Sequence, residues 1–147
     1  KIKTIGDAYM VVGKVDAAPV AQLALDMLDA MRSYRHRSGH PLDIRAGLHA
    51  GATVAGVIGL KRFLYDVWGD AVNTASRMES TGRAGTIQVT DALAQELQHA
   101  FRFSASAQVH VKGKGPMATR FLLGRRSAAL SEPETKPAPE VALRRAA

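Results

Sequence analysis

A small set of side chains in this 147-residue sequence has the types and spacing to handle a phosphate or a metal ion. Asp7 follows Gly6 between two β-prone runs, KIKTI and AYMVV, so a tight hairpin turn sets its carboxylate at the tip. There it either forms the turn or meets a metal ion. Lys3 lies on the first of those strands, the usual place of a solvated edge lysine. Asp66, beside Tyr65 and near Trp68, suits a cap or the partner of a nearby arginine. Asn73 and Arg77 are four apart on a helix predicted after Trp68 and so share one face, while Val72, Ala75 and Glu79 point elsewhere. A guanidinium fork matches two phosphate oxygens at once, which suits a phosphate whose charge grows during reaction. A surface pairing of Arg77 with Glu79 or another carboxylate accounts for it equally well. Lys112 and Lys114 alternate with glycines in KGKGP, as in an exposed turn.

The elements that must position these groups can be read from periodicity. From Pro19 to about Tyr34, apolar residues recur at steps of three and four, which predicts an amphipathic helix with Pro19 in its first turn. The basic stretch RSYRHRSGHP ends it, and LDIRAGLHA predicts a half-buried strand from Leu42 to His49. GATVAGVIG lacks the Gly-Lys-Ser/Thr ending of a P-loop, so close backbone packing accounts for its glycines better than a phosphate cradle does. FLYDV (63–67) predicts a strand, Gly69-Asp70 marks a helix start, TIQVT another strand, and DALAQELQHA a short helix. Two strands joined by KGKGP follow. The fold class is α+β, an α/β sandwich with an antiparallel-rich sheet and helices on one face. From Ser127 the chain is rich in Ala, Pro and charge without apolar period, so residues 1–126 are expected to form the domain and 127–147 a disordered tail or linker.

Composition narrows the partners. With 46% hydrophobic residues the chain can bury one core, and with no cysteine it fits a reducing compartment, the cytoplasm by default. Twenty Lys+Arg against 13 Asp+Glu give +7, which favours nucleotides, nucleic acid or acidic lipid. The basic residues are dispersed and aromatics make up only 5%, so no stacking platform for nucleic acid is formed. No apolar run approaches membrane-spanning length.

KIKTIGDAYMVVG, YDVWGDAVNTASRMES and VHVKGKGPM, in this order and at these separations, resemble the catalytic domains of class III nucleotidyl cyclases. The likeness is to bacterial adenylate cyclases of mycobacterial type, related to the mammalian membrane enzymes, and runs from Lys1 to about Gly124. It implies a ferredoxin-like core and conversion of ATP to 3′,5′-cyclic AMP and pyrophosphate. Asp7 resembles the second of two aspartates that hold paired Mg²⁺ or Mn²⁺ ions, two per site. Lys3 and Asp66 match the pair that reads the base. An ammonium donates to adenine N1 and a carboxylate accepts from N6, whereas guanylate cyclases of the family carry an acid and a small polar or thiol residue there. Asn73 resembles the residue that orients the ribose, Arg77 the one that stabilises the pentacoordinate α-phosphate, and Lys112 the lysine on the terminal phosphates, with Lys114 its neighbour. The resemblance implies a head-to-tail homodimer with shared sites. It also places the first metal aspartate in an upstream segment of the form D-I-x-G-F-T, absent from this sequence, so a domain lacking its N-terminal part is expected, with sensor or membrane segments preceding it. A nucleotide-binding pseudocyclase and a guanylate cyclase are the alternatives.

Overall fold

Gly6, at φ +61°, takes the left-handed conformation that closes a hairpin between β1 (Lys3–Ile5) and β2 (Ala8–Met10), with Asp7 at its exposed tip. The computed structural model describes residues 3–40, 42–59 and 63–126; the predicted tail, 127–147, lies outside them. Helix α1 (Ala18–Ser38) has Ala17 at its N-cap, and the Asp16 carboxylate just before it accepts the Ala18 N–H at 2.8 Å. It runs four residues past the expected end. Arg35, His36 and Arg37 carry no apolar period, yet cations suit the negative end of a helix, and Gly39 at φ +70° closes it.

The strand expected over 42–49 narrows to β3 (Ala46–Leu48), the stretch that runs parallel to β6 (Ile87–Thr90). The glycine-rich segment after it contains a strand that apolar alternation did not reveal. This is β4 (Val54–Ile58), which pairs antiparallel with β5 (Leu64–Trp68) in a ribbon of its own. The packing reading of its glycines holds at Gly51, where an added Cβ would stand 3.0 Å from the Ala71 methyl. Helices α2 (Asp70–Ser80) and α3 (Asp91–Leu97) begin where Gly69-Asp70 and Asp91 predict. The final run gives three strands where two are expected: β7 (Phe101–Phe103), β8 (Ala107–Val111) and β9 (Gly115–Arg125). Ser104 makes the break. Its N–H donates to the Phe121 carbonyl and its hydroxyl accepts the Phe121 N–H, each at 2.9 Å, so β7 and β8 both lie on β9 but not in one line.

The main sheet runs β3-β6-β9-β7, with β8 also on β9, and all its pairings except β3–β6 are antiparallel. Strand β6 is buried on both sides. Ile87 and Val89 join Leu48 and Leu122 in the core beneath α1 and α3. Between them Gln88 points the other way and donates to Thr81 Oγ1 at 3.0 Å, at the end of α2. The α+β class and antiparallel-rich sheet stand, but the helices divide over both faces, α1 and α3 on one and α2 on the other. A central strand apolar at alternate positions and polar but buried between them requires two covers.

Asp91 fastens α3 to this sheet. Its carboxylate accepts from Arg120 Nε and Gln95 Nε2, each at 2.6 Å. The Arg120 guanidinium, against a smaller opposing effect of burial, holds the Asp91 carboxyl below the usual range, with Ser106 and Gln95 helping. A carboxyl depressed on folding adds stability above the ordinary carboxylate range and loses it as pH falls through its folded value. Asp91→Asn should therefore lower the thermal midpoint by a few degrees at neutral pH. The deficit should close below about pH 4, as the wild type loses the same contribution. Melting curves from pH 7 to pH 2 check this; a deficit constant with pH would show that the charge is not what matters.

Candidate functional site

The 2.6 Å ion pair between Lys3 Nζ and Asp66 Oδ2 joins β1 to β5, two ribbons that share no ladder. Asp66 is buried, and its other oxygen accepts the Val67 N–H at 2.8 Å. The Lys3 ammonium, then that N–H, holds the Asp66 carboxyl below its ordinary range, so it is charged at neutral pH. The residue opposite Asp66 on β4 is Gly56, which puts no side chain over the pair. An ammonium has three donors and a carboxylate about four acceptor positions, so the pair retains capacity for a third group that offers both an acceptor and a donor.

Helix α2 buries Ala71, Thr74 and Met78 and leaves Asn73 and Arg77 exposed on one face, as their spacing predicts. The surface pairing of Arg77 with Glu79 does not form. Glu79 Oε1 instead takes Arg45 Nε and Nη2, each at 3.0 Å, and among the described residues Arg77 has no ion pair. Its backbone is fixed all the same. The Arg77 carbonyl accepts from the N–H and hydroxyl of Thr81, at 3.0 and 2.7 Å, and Thr81 is held in turn by Gln88.

Lys112 and Lys114 lie on the turn between β8 and β9, with Gly113 at φ +82° and Gly115 at φ +78°. The two lysines differ. Lys112 is exposed, whereas Lys114 Nζ contacts both oxygens of Asp70 at 2.6 Å, in the first turn of α2. Next to this pair is His49, whose Nδ1 lies 2.9 Å from Thr90 Oγ1. Burial, then the nearby Lys114, pushes the imidazole's pKa down against the opposing pull of Asp70, so His49 is neutral at physiological pH. Neither Asp70 nor His49 is a site candidate on sequence grounds. Gly69-Asp70 reads only as a helix start, and His49 only as the end of a strand.

Asp7 and Lys112 are thus exposed, and α2 carries Asn73 and Arg77 on one exposed face. A carboxylate suits a hard cation. Among the described residues, however, no group of three or more His, Cys, Asp or Glu comes together for a metal, so these residues alone do not make a two-metal centre. Among the described residues no helix is long and apolar enough to cross a membrane.

The chain as a whole is similar to known proteins. A family model described as the adenylate and guanylate cyclase catalytic domain matches residues 1–124. An adenylate cyclase of Mycobacterium tuberculosis is 47% identical over 135 residues, 88% of this chain and 30% of that protein. Atrial natriuretic peptide receptor 2 of Homo sapiens is 45% identical over 137 residues, 86% of this chain and 13% of that protein. This chain therefore spans less than a third of either relative. The guanylate cyclase domain of RhGC from Catenaria anguillulae, solved in complex with GTP, matches at TM-score 0.74 and 35% identity, over 85% of this chain and 72% of that one. The catalytic core of a rhodopsin-guanylyl cyclase with converted specificity, in complex with ATPαS, matches at TM-score 0.71 and 37% identity, over 84% and 71%. With the fold, the order of motifs and the family match in agreement, the chain belongs to the class III adenylate and guanylate cyclase catalytic domains.

Proposed function

We propose that this domain is an adenylate cyclase, converting ATP to 3′,5′-cyclic AMP and pyrophosphate for intracellular signalling. The ribose 3′-oxygen attacks the α-phosphorus, and the bond from that phosphorus to the oxygen bridging to the β-phosphate breaks. The observation that carries the choice of base is the 2.6 Å pair of Lys3 and Asp66. Lys3 would donate to adenine N1 and Asp66 would accept from the N6 amine; guanine offers a donor at N1 and an acceptor at O6, the reverse pattern. Each donor set against a donor costs about 1–3 kcal/mol once buried, enough for strong discrimination. Overall likeness does not choose the substrate. The same architecture holds GTP in one neighbour and ATPαS in another, so the side chains at the base decide.

In this reading Asn73 orients the ribose, Arg77 places its donors on the α-phosphate where charge grows, and Lys112 neutralises the terminal phosphates. Asp7 would supply one carboxylate ligand to the Mg²⁺ or Mn²⁺ that domains of this family use. The sites are shared between two copies in a head-to-tail homodimer, Asp7 from one and Lys3, Asp66, Asn73 and Arg77 from the other. The exposed ribbon supports a partner surface: Val54, Val57, Phe63 and Tyr65 are 69%, 62%, 80% and 47% exposed, more apolar surface than scattered residues account for.

Full-length protein supplied with equal ATP and GTP and with Mn²⁺ should make cyclic AMP predominantly. Cyclic GMP as main product would make it a guanylate cyclase, and nucleotide binding with neither product would make it a pseudocyclase. Replacing Lys3 with Glu and Asp66 with Cys together should weaken the preference for ATP; an unchanged preference would locate base reading elsewhere. Arg77→Ala should lower kcat by about 10²–10³-fold with KM for ATP within a few-fold, as for a contact that strengthens in the transition state. Copies carrying Asp7→Ala and copies carrying Arg77→Ala, each inactive, should regain activity when mixed, since one site of the mixed dimer is intact. Mixed dimers that stay inactive would rule out shared sites.

A further inference from the structure

Asp70, Asn73 and Arg77 are spaced i, i+3 and i+7, so they form one row along the exposed face of α2, about 10 Å from first to last. Lys114 docks at the head of this row through both Asp70 oxygens, 44 residues away in sequence. The turn that carries it is closed by the last ladder pair, Val111 opposite Gly115, and by the bond from the Lys114 N–H to the Val111 carbonyl at 3.0 Å. Gly113 and Gly115 both have positive φ, and an added Cβ at either would meet nothing within 4 Å, so the space beside both glycines is open. The Asp70 contact ties this turn to α2. Helix α2, by contrast, is firmly seated, by the close approach at Gly47 and by the Gln88–Thr81–Arg77 hydrogen bonds.

We propose that Asp70 and Lys114 are positioning residues for the cyclase reaction: their ion pair transmits the fixed position of α2 to the turn, so that Lys112 and Arg77 meet a single nucleotide as parts of one rigid unit. Lys114 is thereby committed to Asp70 and acts through Lys112. The inference rests on the phosphate role given to Lys112 and Arg77 above. An exposed ion pair adds little to folding, so its loss shows in turnover and leaves the thermal midpoint nearly unchanged.

The test is a double-mutant cycle on the full-length protein, with kcat and KM for ATP measured alongside thermal melting. Asp70→Asn and Lys114→Gln should each lower kcat/KM by about tenfold, with melting unchanged, and Asp70→Glu, which keeps the acid, should retain most activity. In a Lys112→Ala background the same two changes should cost less than about twofold, because the group they position is gone. Losses that multiply with that of Lys112→Ala would overturn the proposal, as would full activity in Asp70→Asn. If Lys112→Ala and Arg77→Ala inactivate while Asp70→Asn does not, only the positioning role falls. If Lys112→Ala itself is fully active, the phosphate role of Lys112 falls and the positioning role falls with it.

Discussion

An added Cβ at Gly47 would stand 2.0 Å from the backbone nitrogen of Glu79 and 2.4 Å from the Ala75 carbonyl oxygen, so α2 can lie on β3 only because this position has no side chain. The contact is backbone against backbone, and no flexible side chain stands between to give way. That fixes the height of α2 above the sheet, while Gln88, buried in the middle of β6, fixes the end of the helix through Thr81. Asn73 and Arg77 inherit their positions from this seat. Among the described residues their side chains make no bond that locates them, so the precision of the face comes from the helix beneath it.

A different kind of constraint holds the other half of the site. The β1–β2 hairpin and the β4–β5 ribbon are each two-stranded, a size that is marginally stable alone. The Lys3–Asp66 pair spans them at 2.6 Å, so one interaction fastens a hairpin and presents a donor next to an acceptor. The Val67 N–H, bonded to the other Asp66 oxygen, favours the charged carboxylate independently of Lys3. A group that binds both residues gains from order already present in the protein, which lowers the entropic cost of recognition.

Much of this was legible from short-range pattern. Gly6 predicts the turn that exposes Asp7, the four-residue step predicts the shared face of Asn73 and Arg77, and alternating lysine and glycine predict the turn before β9. What could not be read depends on contacts distant in sequence. Strand β4 has no apolar alternation of its own and exists through its register with β5, Val54 opposite Trp68 and Ile58 opposite Leu64. The break at Ser104 depends on Phe121, the partner of Asp70 lies 44 residues away, and the placement of α2 follows from Gly47 meeting Glu79. The Lys3–Asp66 pair is the exception. Its members are 63 residues apart, and only resemblance to a family joined them beforehand.

The ribbon carrying Asp66 also carries exposed apolar side chains, which in the proposed dimer would couple substrate recognition to assembly. Asp66 is buried within its own subunit, but Lys3 keeps about a quarter of its side-chain surface in water, and Trp68, on the same strand, is 39% exposed. In water, hydrogen bonds to a purine compete with solvent and discriminate weakly. A second copy laid over this ribbon removes that water, and the same donor and acceptor then act in a lower dielectric, where a mismatched base leaves an unpaired buried group. The dimer of the proposed mechanism therefore does more than bring Asp7 to the opposite half-site. On that reading it would also supply the dry surroundings in which Lys3 and Asp66 distinguish adenine from guanine, so that selectivity and turnover would depend on the same association.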